Sequence, residues 1–277
     1  MKRFVQPDAG PRVPILMYHQ VVEDGERNSK TRRTNPAYTV TAGRFREQMA
    51  WLAENGFRTR SLGDVTGPFT PLQSSLVITF DDGWADNASH ALPVLLEYGF
   101  SATIFVVTGF IGTQDYLDWA QLRVLSENGV SLQSHTVSHR PLEELGHHEV
   151  AEELGASKKV LEDRLGTAVD YVSMPQGSWN RRILHAARAA GYLGVCTSDP
   201  GFRHSLGAPA VFSRINVADS TPISSFARIA RMDGRFIVPV LAATKFKRTV
   251  RSLVGYRNYR LLYRFFYGIT EEPQENP

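Results

Sequence analysis

Leu76-Val77-Ile78-Thr79-Phe80 is an apolar run rich in β-branched and aromatic residues, and it ends abruptly at Asp81-Asp82-Gly83. A short apolar run with a Pro-bearing polar segment before it and a glycine soon after it predicts a buried β-strand. The sequence thus predicts two adjacent carboxylates at the carboxyl end of a buried strand.

Similar apolar runs recur on both sides of this stretch. They predict strands at residues 13–18, 102–107, 130–133, 169–174, 192–197 and 211–217. Several of the stretches between them place apolar residues at helical spacing and end at glycine, as helices commonly do. Strand–helix alternation predicts a mainly parallel sheet with helices outside. About seven such units in one run favour an α/β barrel, and no glycine-rich loop follows the first strand to support a dinucleotide-binding fold.

Composition separates a main domain from a C-terminal tail. The chain has 277 residues, of which 42% are apolar, enough to fill the core of one large α/β domain. Its single cysteine, Cys196, excludes an intrachain disulfide. The formal net charge is +3, yet residues 234–270 contain eight Lys or Arg and no Asp or Glu. We therefore predict a main domain at residues 1–235 and a basic, aromatic-rich helical tail at residues 236–277.

Polar residues are concentrated where the predicted strands end, which is where a parallel barrel gathers its working residues. In chain order these positions are His19, Asp81 and Asp82, His135, Pro175-Gln176-Gly177, and Ser198-Asp199. Burying two adjacent carboxylates is costly unless a cation is present, because they repel each other. The alternative role for this pair is to cap the helix that follows.

Ser134-His135-Thr136-Val137-Ser138-His139 contains two histidines at H-x-x-x-H spacing. If the segment forms a turn, both imidazoles can converge on one metal ion. Taken alone, the spacing favours two unrelated surface histidines. Together with Asp82 at the same rim, however, it predicts a triad that leaves coordination positions open for water and substrate.

An open metal site of this kind predicts hydrolysis. A divalent ion lowers the pKa of bound water and polarises a carbonyl oxygen, and a neighbouring carboxylate can accept the water proton. Asp81 is the candidate base. His19, at the end of the first strand, is the candidate acid, and its alternative is a buried histidine whose ring nitrogens are satisfied by the backbone.

These residues resemble a known family. Thr79-Phe80-Asp81-Asp82-Gly83 is similar to the first motif of the NodB-homology polysaccharide deacetylases (carbohydrate esterase family 4), and Ser134-His135-Thr136-Val137-Ser138-His139 is similar to the second. The resemblance implies a distorted (β/α) barrel over residues 12–235. It also implies that Asp81 is the base and that Asp82, His135 and His139 bind a divalent metal. Zn²⁺ is the expected ion, with Co²⁺, Ni²⁺ and Fe²⁺ as the other candidates.

The later family motifs match less well. The third often reads Arg-x-Pro-Tyr-Gly, whereas Ser173-Met174-Pro175-Gln176-Gly177 has serine in place of the arginine that orients the base. We hypothesise that Arg214 takes over this role. The family's last motif supplies the acid histidine, but no histidine follows residue 204. Pro14-Ile15-Leu16-Met17-Tyr18-His19 resembles the first strand of the exopolysaccharide (poly-N-acetylglucosamine) branch, in which an early histidine stands in the late one's place.

Other residues near these motifs are candidates for binding the substrate. Trp84 and Trp179 flank the motifs and have indoles that suit stacking on a sugar face, although ordinary packing explains them equally well. Asp199 either orients His19 or caps a turn. Pro175 and Gly177 complete the predicted substrate-binding set.

The tail interleaves its Lys and Arg residues with aromatic and leucine residues between positions 241 and 267. It predicts either a helix packed on the barrel or an interfacial helix on anionic lipid. No nucleic-acid motif accompanies the charge. Residues 1–8 have a basic start but no apolar stretch after it, so we expect a cytoplasmic protein, with the inner face of the membrane as the alternative site.

The predicted function is removal of N-acetyl groups from an N-acetylhexosamine-containing polysaccharide or lipid-linked sugar. An O-acetyl sugar esterase would use the same site. A metal-dependent oxygenase also uses two histidines and a carboxylate, but those sites usually need a β-sandwich. A catalytically silent sugar-binding protein is the remaining alternative, against which the retained Asp81 argues.

Overall fold

The computed structural model describes residues 12–25, 35–66, 74–202, 204–235 and residue 238. Over these residues the strands alternate with helices, as the sequence predicts. The strands are β1 (Ile15–Tyr18), β2 (Gln20–Val22), β3 (Thr39–Thr41), β4 (Arg58–Thr59), β5 (Ser75–Phe80), β6 (Thr103–Val106), β7 (Ser131–Ser134), β8 (Tyr171–Ser173), β9 (Gly194–Cys196), β10 (Ala210–Phe212) and β11 (Ile215–Asn216).

The helices begin and end at residues suited to those positions. They are α1 (Ala42–Glu54), α2 (Leu62–Thr66), α3 (Leu92–Tyr98), α4 (Trp119–Glu127), α5 (His147–Leu165), α6 (Arg181–Ala189) and α7 (Ile223–Ala230). The side chains of Thr41, Asp118 and Asn180 accept backbone N–H groups at the starts of α1, α4 and α6. Helices α3 and α5 end at Gly99 and Gly166 in the left-handed conformation.

The main sheet is a curled, parallel half barrel with helices outside it. Its strand order is β10-β9-β8-β7-β6-β5-β1-β11, and the short β4 also pairs with β5. This confirms the predicted distorted (β/α) barrel. Strands β2 and β3 form a separate parallel pair in a part of the chain for which the sequence predicts no strand.

Alternate residues of the strands belong to two different apolar clusters. The inner cluster, on the concave side of the sheet, includes Ile15, Val77, Phe105, Tyr171, Cys196 and Phe212. The outer cluster lies between the sheet and the helices and includes Leu16, Ile78, Ile104, Leu132, Val172 and Val195. Because side chains alternate along a strand, Val77 on the inner face predicts that Thr79 and Asp81 point inward too.

Helix α2 covers the amino-terminal end of the concave side. Its Leu62 and Val65 join the inner cluster beside Val13, which lies just before β1, and Tyr171, which begins β8. This end of the half barrel is therefore filled with apolar side chains. The polar inner-face residues lie at the opposite end, which we call the carboxyl-end rim.

The prediction of one strand at residues 211–217 is wrong in one respect: the segment contains two strands, which lie on opposite edges of the sheet. β10 pairs with β9, whereas β11 pairs with β1. Residues 213 and 214 therefore span the gap between the two edges of the half barrel. The alternating pattern of the segment could not reveal the break, because both halves keep a period of two.

A buried histidine also helps to close this gap. His204 Nε2 lies 2.8 Å from the Val13 carbonyl oxygen, and the Ser213 N–H donates to His204 Nδ1 over 3.3 Å. Nδ1 can accept this bond only while the imidazole is neutral. Burial of the ring lowers the pKa of His204 below its ordinary value, although the hydrogen bond to Val13 opposes the shift.

We expect the free energy of unfolding to fall as the pH drops below about 6.5, the pKa of an unfolded-state histidine. The unfolded chain binds the proton at His204 more readily than the folded one, so acid favours unfolding by at most about 1.4 kcal/mol per pH unit for this group. Urea unfolding at several pH values would measure this. In His204→Gln the pH dependence should be shallower than in wild type, and an unchanged slope would contradict the assignment.

The second predicted domain, residues 236–277, lies outside the described residues apart from residue 238. In the described part of the chain, no helix combines the length and the apolar character needed to cross a lipid bilayer.

Candidate active site and metal centre

The carboxyl-end rim brings the predicted site residues together from strands that are distant in sequence. Asp81 and Asp82 follow β5, His135 follows β7, and His19 follows β1. Because β1, β5, β6 and β7 are neighbours in the sheet, their ends lie side by side. Asp81 and His135 are almost completely buried, at 3% and 2% exposure.

Asp82 is held in an unusual backbone conformation. Its φ of 76° is left-handed, which is uncommon for a residue with a side chain, and Gly83 follows with φ 81°. The indole N–H of Trp84 donates to Asp82 Oδ2 over 3.0 Å. The turn and this hydrogen bond leave the other oxygen, Oδ1, directed at the two histidines.

Asp82, His135 and His139 form a cluster of potential metal ligands, whose donor atoms all lie within 4.8 Å of one another. Asp82 Oδ1 is 3.3 Å from His135 Nε2 and 3.4 Å from His139 Nε2. Metal–ligand bonds of about 2.0–2.1 Å in a tetrahedron place ligand atoms about 3.3–3.4 Å apart. The two separations that involve Asp82 match this value, and all three donor atoms lie close enough together to be candidate ligands of one ion.

The hydrogen bonding of His135 also fits a metal. Its Nδ1 lies 2.9 Å from the Ser173 carbonyl oxygen, and only an N–H can make that contact. The lone pair of a neutral ring is then on Nε2, which is the atom nearest Asp82. Carbonyl partners commonly orient metal-binding histidines in this way. For Asp82 itself, burial opposes ionisation, but the neighbouring imidazoles of His135 and His139 outweigh it and keep its pKa well below the usual range.

Asp81 forms an ion pair with a buried guanidinium. Arg214 Nη1 donates to Asp81 Oδ1 over 2.6 Å, and Nη2 donates to Oδ2 over 2.7 Å. Arg214 is fully buried and its guanidinium lies over the Phe105 ring, 5.4 Å from the centroid. Burial alone would raise the pKa of Asp81, but Arg214 and His135 outweigh it and lower the pKa. The carboxylate is therefore ionised and fixed in orientation.

Ser173 completes this buried network at the position where the family motif often has arginine. Its hydroxyl donates to Asp81 Oδ2 over 3.1 Å and accepts from Arg214 Nη2 over 2.8 Å. Because serine is small, it leaves space for the guanidinium of Arg214, which lies in the crossing between β10 and β11. Arg214 also donates to Thr79 Oγ1 and to the Thr197 carbonyl oxygen.

His19 lies at the end of β1 with its ring beside Tyr38, the centroids being 4.5 Å apart. Asn87 Nδ2 donates to its backbone carbonyl over 2.9 Å. Asn87 begins a π-helical turn, Asn87–Ala91, a rare element that is frequent at functional sites. Burial lowers the pKa of His19 even though Asp82 and Asp81 favour its cation.

The predicted substrate-binding residues have different surroundings. Trp84 is only 9% exposed and stacks on Tyr116 with centroids 4.4 Å apart. Its indole N–H also holds Asp82, and the predicted stacking of Trp84 on a sugar stays a prediction. Trp179 is half-buried, and its indole N–H donates to Asp199 Oδ2 over 3.1 Å. The predicted role of Asp199 in orienting His19 stays a prediction.

Pro175 and Gly177 form a tight turn after β8. Gly177 has φ 61°, and a Cβ there would lie 3.2 Å from Ser198 Cβ, so a side chain would crowd the end of β9. Between them, Gln176 is exposed and left-handed with φ 53°. Strained backbone of this kind is concentrated at functional sites. The sequence places Gln176 among the polar residues at the strand ends, but the predicted substrate-binding set does not include it.

Comparison with known proteins identifies the family. A model of the polysaccharide deacetylase family matches residues 70–195. YxkH of Bacillus subtilis (strain 168), which is named as a polysaccharide deacetylase, is 29% identical over 227 residues, covering 80% of this chain and 77% of that protein. The chitooligosaccharide deacetylase of Azorhizobium caulinodans is 30% identical over 150 residues, covering 53% of this chain and 68% of that protein.

A solved structure agrees with these matches. The deacetylase PplD of Streptococcus pyogenes, in complex with acetate, has a TM-score of 0.71 and 26% identity, covering 80% of this chain and 99% of that one. The family match contains Asp81, Asp82, His135 and His139, while His19 and Arg214 lie outside it. The fold, the rim geometry and these comparisons agree: the chain belongs to the polysaccharide deacetylase family and is a hydrolase of the carbohydrate deacetylase class.

Proposed function

We propose that this protein is a metal-dependent N-deacetylase that acts on an N-acetylhexosamine-containing polysaccharide or lipid-linked sugar. One observation carries the proposal: a three-residue ligand cluster stands beside a buried, arginine-held carboxylate at one rim. Asp82, His135 and His139 would hold the ion. Two imidazoles and one carboxylate suit Zn²⁺ first, with Co²⁺, Ni²⁺ and Fe²⁺ as alternatives.

The proposed chemistry is hydrolysis of the acetamide. A bound divalent ion supplies an acidified water and a polarised carbonyl. Asp81 accepts the proton of the attacking water as the new C–O bond forms, and Arg214 holds the carboxylate in position for that transfer. The C–N bond then breaks, and His19 gives a proton to the departing nitrogen. The products are acetate and a free amine on the sugar.

His19 suits the role of acid because of its environment. Burial lowers its pKa, so the imidazolium gives up its proton more readily than an exposed one, while a smaller fraction of the rings carries that proton at neutral pH. The Asn87 bond to its carbonyl and the Tyr38 ring restrict its position. The similarity of the Pro14–His19 segment to the exopolysaccharide branch supports a polymeric amino-sugar substrate.

Removing the metal should abolish acetate release from N-acetylglucosamine oligomers, and added Zn²⁺ should restore it. An enzymatic acetate assay after dialysis against a chelator measures this, with the same chelator plus excess Zn²⁺ as the control. Free amine should appear in step with acetate. Full activity after chelation would refute metal dependence, and acetate without amine from an O-acetylated sugar would favour the esterase alternative.

For the tail at residues 236–277 we propose contact with anionic lipid, supported by the alternation of basic and aromatic residues in the sequence. The full chain should sediment with vesicles containing anionic lipid at low salt and less so at high salt. A variant that ends at residue 240 should remain in the supernatant. Equal sedimentation of both proteins would contradict the proposal, as would equal binding to neutral vesicles.

A further inference from the structure

The turn between the two histidines has a backbone that needs outside support. Thr136 has φ 68° and His139 has φ 58°, so two non-glycine residues within four positions are left-handed. Such a residue is strained, and it persists only where its surroundings fix it. The contacts that hold this turn therefore bear on the relative placement of His135 and His139.

One carboxylate supplies much of that support. The backbone N–H groups of Val137 and Ser138 both donate to Glu153 Oε2, over 2.8 and 2.9 Å. The Ser138 hydroxyl donates to the other oxygen of the same carboxylate. Glu153 thus binds three donors in the two residues that immediately precede His139.

The opposite side of the turn is held by backbone. The N–H groups of Thr108 and Gly109 donate to the carbonyls of Thr136 and Val137, over 3.1 and 2.9 Å. A Cβ at Gly109 would lie 2.6 Å from the Val137 oxygen, so only glycine permits this approach. The turn is clamped between residues 108–109 on one side and Glu153 on the other.

Glu153 itself stands on a well-anchored element. It belongs to the 19-residue helix α5, which packs on β7. The hydroxyls of Ser157 on α5 and Ser134 on β7 are 2.8 Å apart and fully buried, which fixes the helix against the strand that ends just before His135. The packing of α5 on β7 therefore fixes the position of the Glu153 carboxylate relative to the histidine turn.

We propose that Glu153 is a positioning residue that sets the separation of the His135 and His139 imidazoles and thereby determines the affinity of the site for a divalent ion. The inference rests on the proposed metal-dependent function. Outer partners of metal ligands typically change metal affinity by about 10–100-fold when they are removed. Without Glu153, two backbone N–H groups lose their acceptor and the left-handed turn is free to relax.

The test measures zinc affinity directly, by competition with a chromophoric chelator, for the full chain and its variants. Glu153→Ala should bind Zn²⁺ about 10–100-fold more weakly. Glu153→Gln keeps a carbonyl oxygen that can accept both N–H groups and should stay within a few-fold of wild type. Glu152→Ala is the matched control, because that exposed neighbour on α5 pairs with His148.

Wild-type affinity in Glu153→Ala, or an equal loss in Glu152→Ala, would overturn the inference. A role confined to fold stability would lower the melting temperature without changing the zinc dissociation constant of the folded protein. If Glu153→Ala does not fold, Glu153→Asp replaces it, since the shorter side chain keeps the charge but withdraws the oxygens, and wild-type affinity there would be equally contrary. Failure of the wild-type chain to bind Zn²⁺ would instead refute the proposed function.

Discussion

Asp81→Asn should lower the rate of acetate release by about 10²–10⁴-fold, the usual contribution of a general base. The amide has nearly the same shape as the carboxylate but cannot take the proton of the attacking water. Zinc affinity should change little, because the ligand cluster consists of Asp82 and the two histidines. Single-turnover acetate release at saturating Zn²⁺, with zinc binding measured on the same sample, tests this.

Asp118→Asn provides a matched control for that experiment. Asp118 begins α4 by accepting the Gln121 N–H, and asparagine caps helices about as well as aspartate. The control should retain wild-type turnover. Equal acetate release by Asp81→Asn and wild type would refute the assignment of Asp81 as the base.

Arg214→Met should destabilise the protein by about 3–5 kcal/mol, the cost of removing one partner from a buried ion pair. Methionine keeps much of the aliphatic volume but leaves the Asp81 carboxylate buried at 3% exposure without its two charged hydrogen bonds. Acetate release should fall too, because the base loses its fixed orientation. Urea unfolding monitored by tryptophan fluorescence gives the change in unfolding free energy.

A double-mutant cycle with Asp81→Asn separates the ion pair from general packing. In the Asp81→Asn background, adding Arg214→Met leaves no buried carboxylate unpaired, so this second substitution should cost distinctly less than it does alone. The same loss in both backgrounds would mean that Arg214 stabilises the fold through its contacts with Phe105 and Ser173 rather than through Asp81.

Local sequence patterns predict the fold and the metal-ligand cluster well, for physical reasons. Apolar runs predict buried strands. Because side chains alternate between the two faces of a strand, Thr79 and Asp81 lie on the same face as Val77. The turn between His135 and His139 is short enough that spacing alone restricts where the imidazoles can lie. These features depend on residues that are neighbours in the chain.

Features that depend on distant contacts could not be predicted in the same way. Nothing in Val211–Val217 reveals that its halves pair with opposite edges of the sheet, since both keep the same alternation. Glu153 is one acidic residue among several on α5, and only the structure shows that it meets the histidine turn. The hydrogen bond from the Trp84 indole to Asp82 is likewise invisible in the sequence.

The crossing from one sheet edge to the other has a consequence for biosynthesis. A ribosome releases the chain from its amino terminus, so all three ligand residues emerge well before Arg214. Until Arg214 has been synthesised, Asp81 lacks the guanidinium that pairs with it in the folded protein. The buried ion pair at the rim can therefore form only after the segment that joins the two sheet edges has left the ribosome.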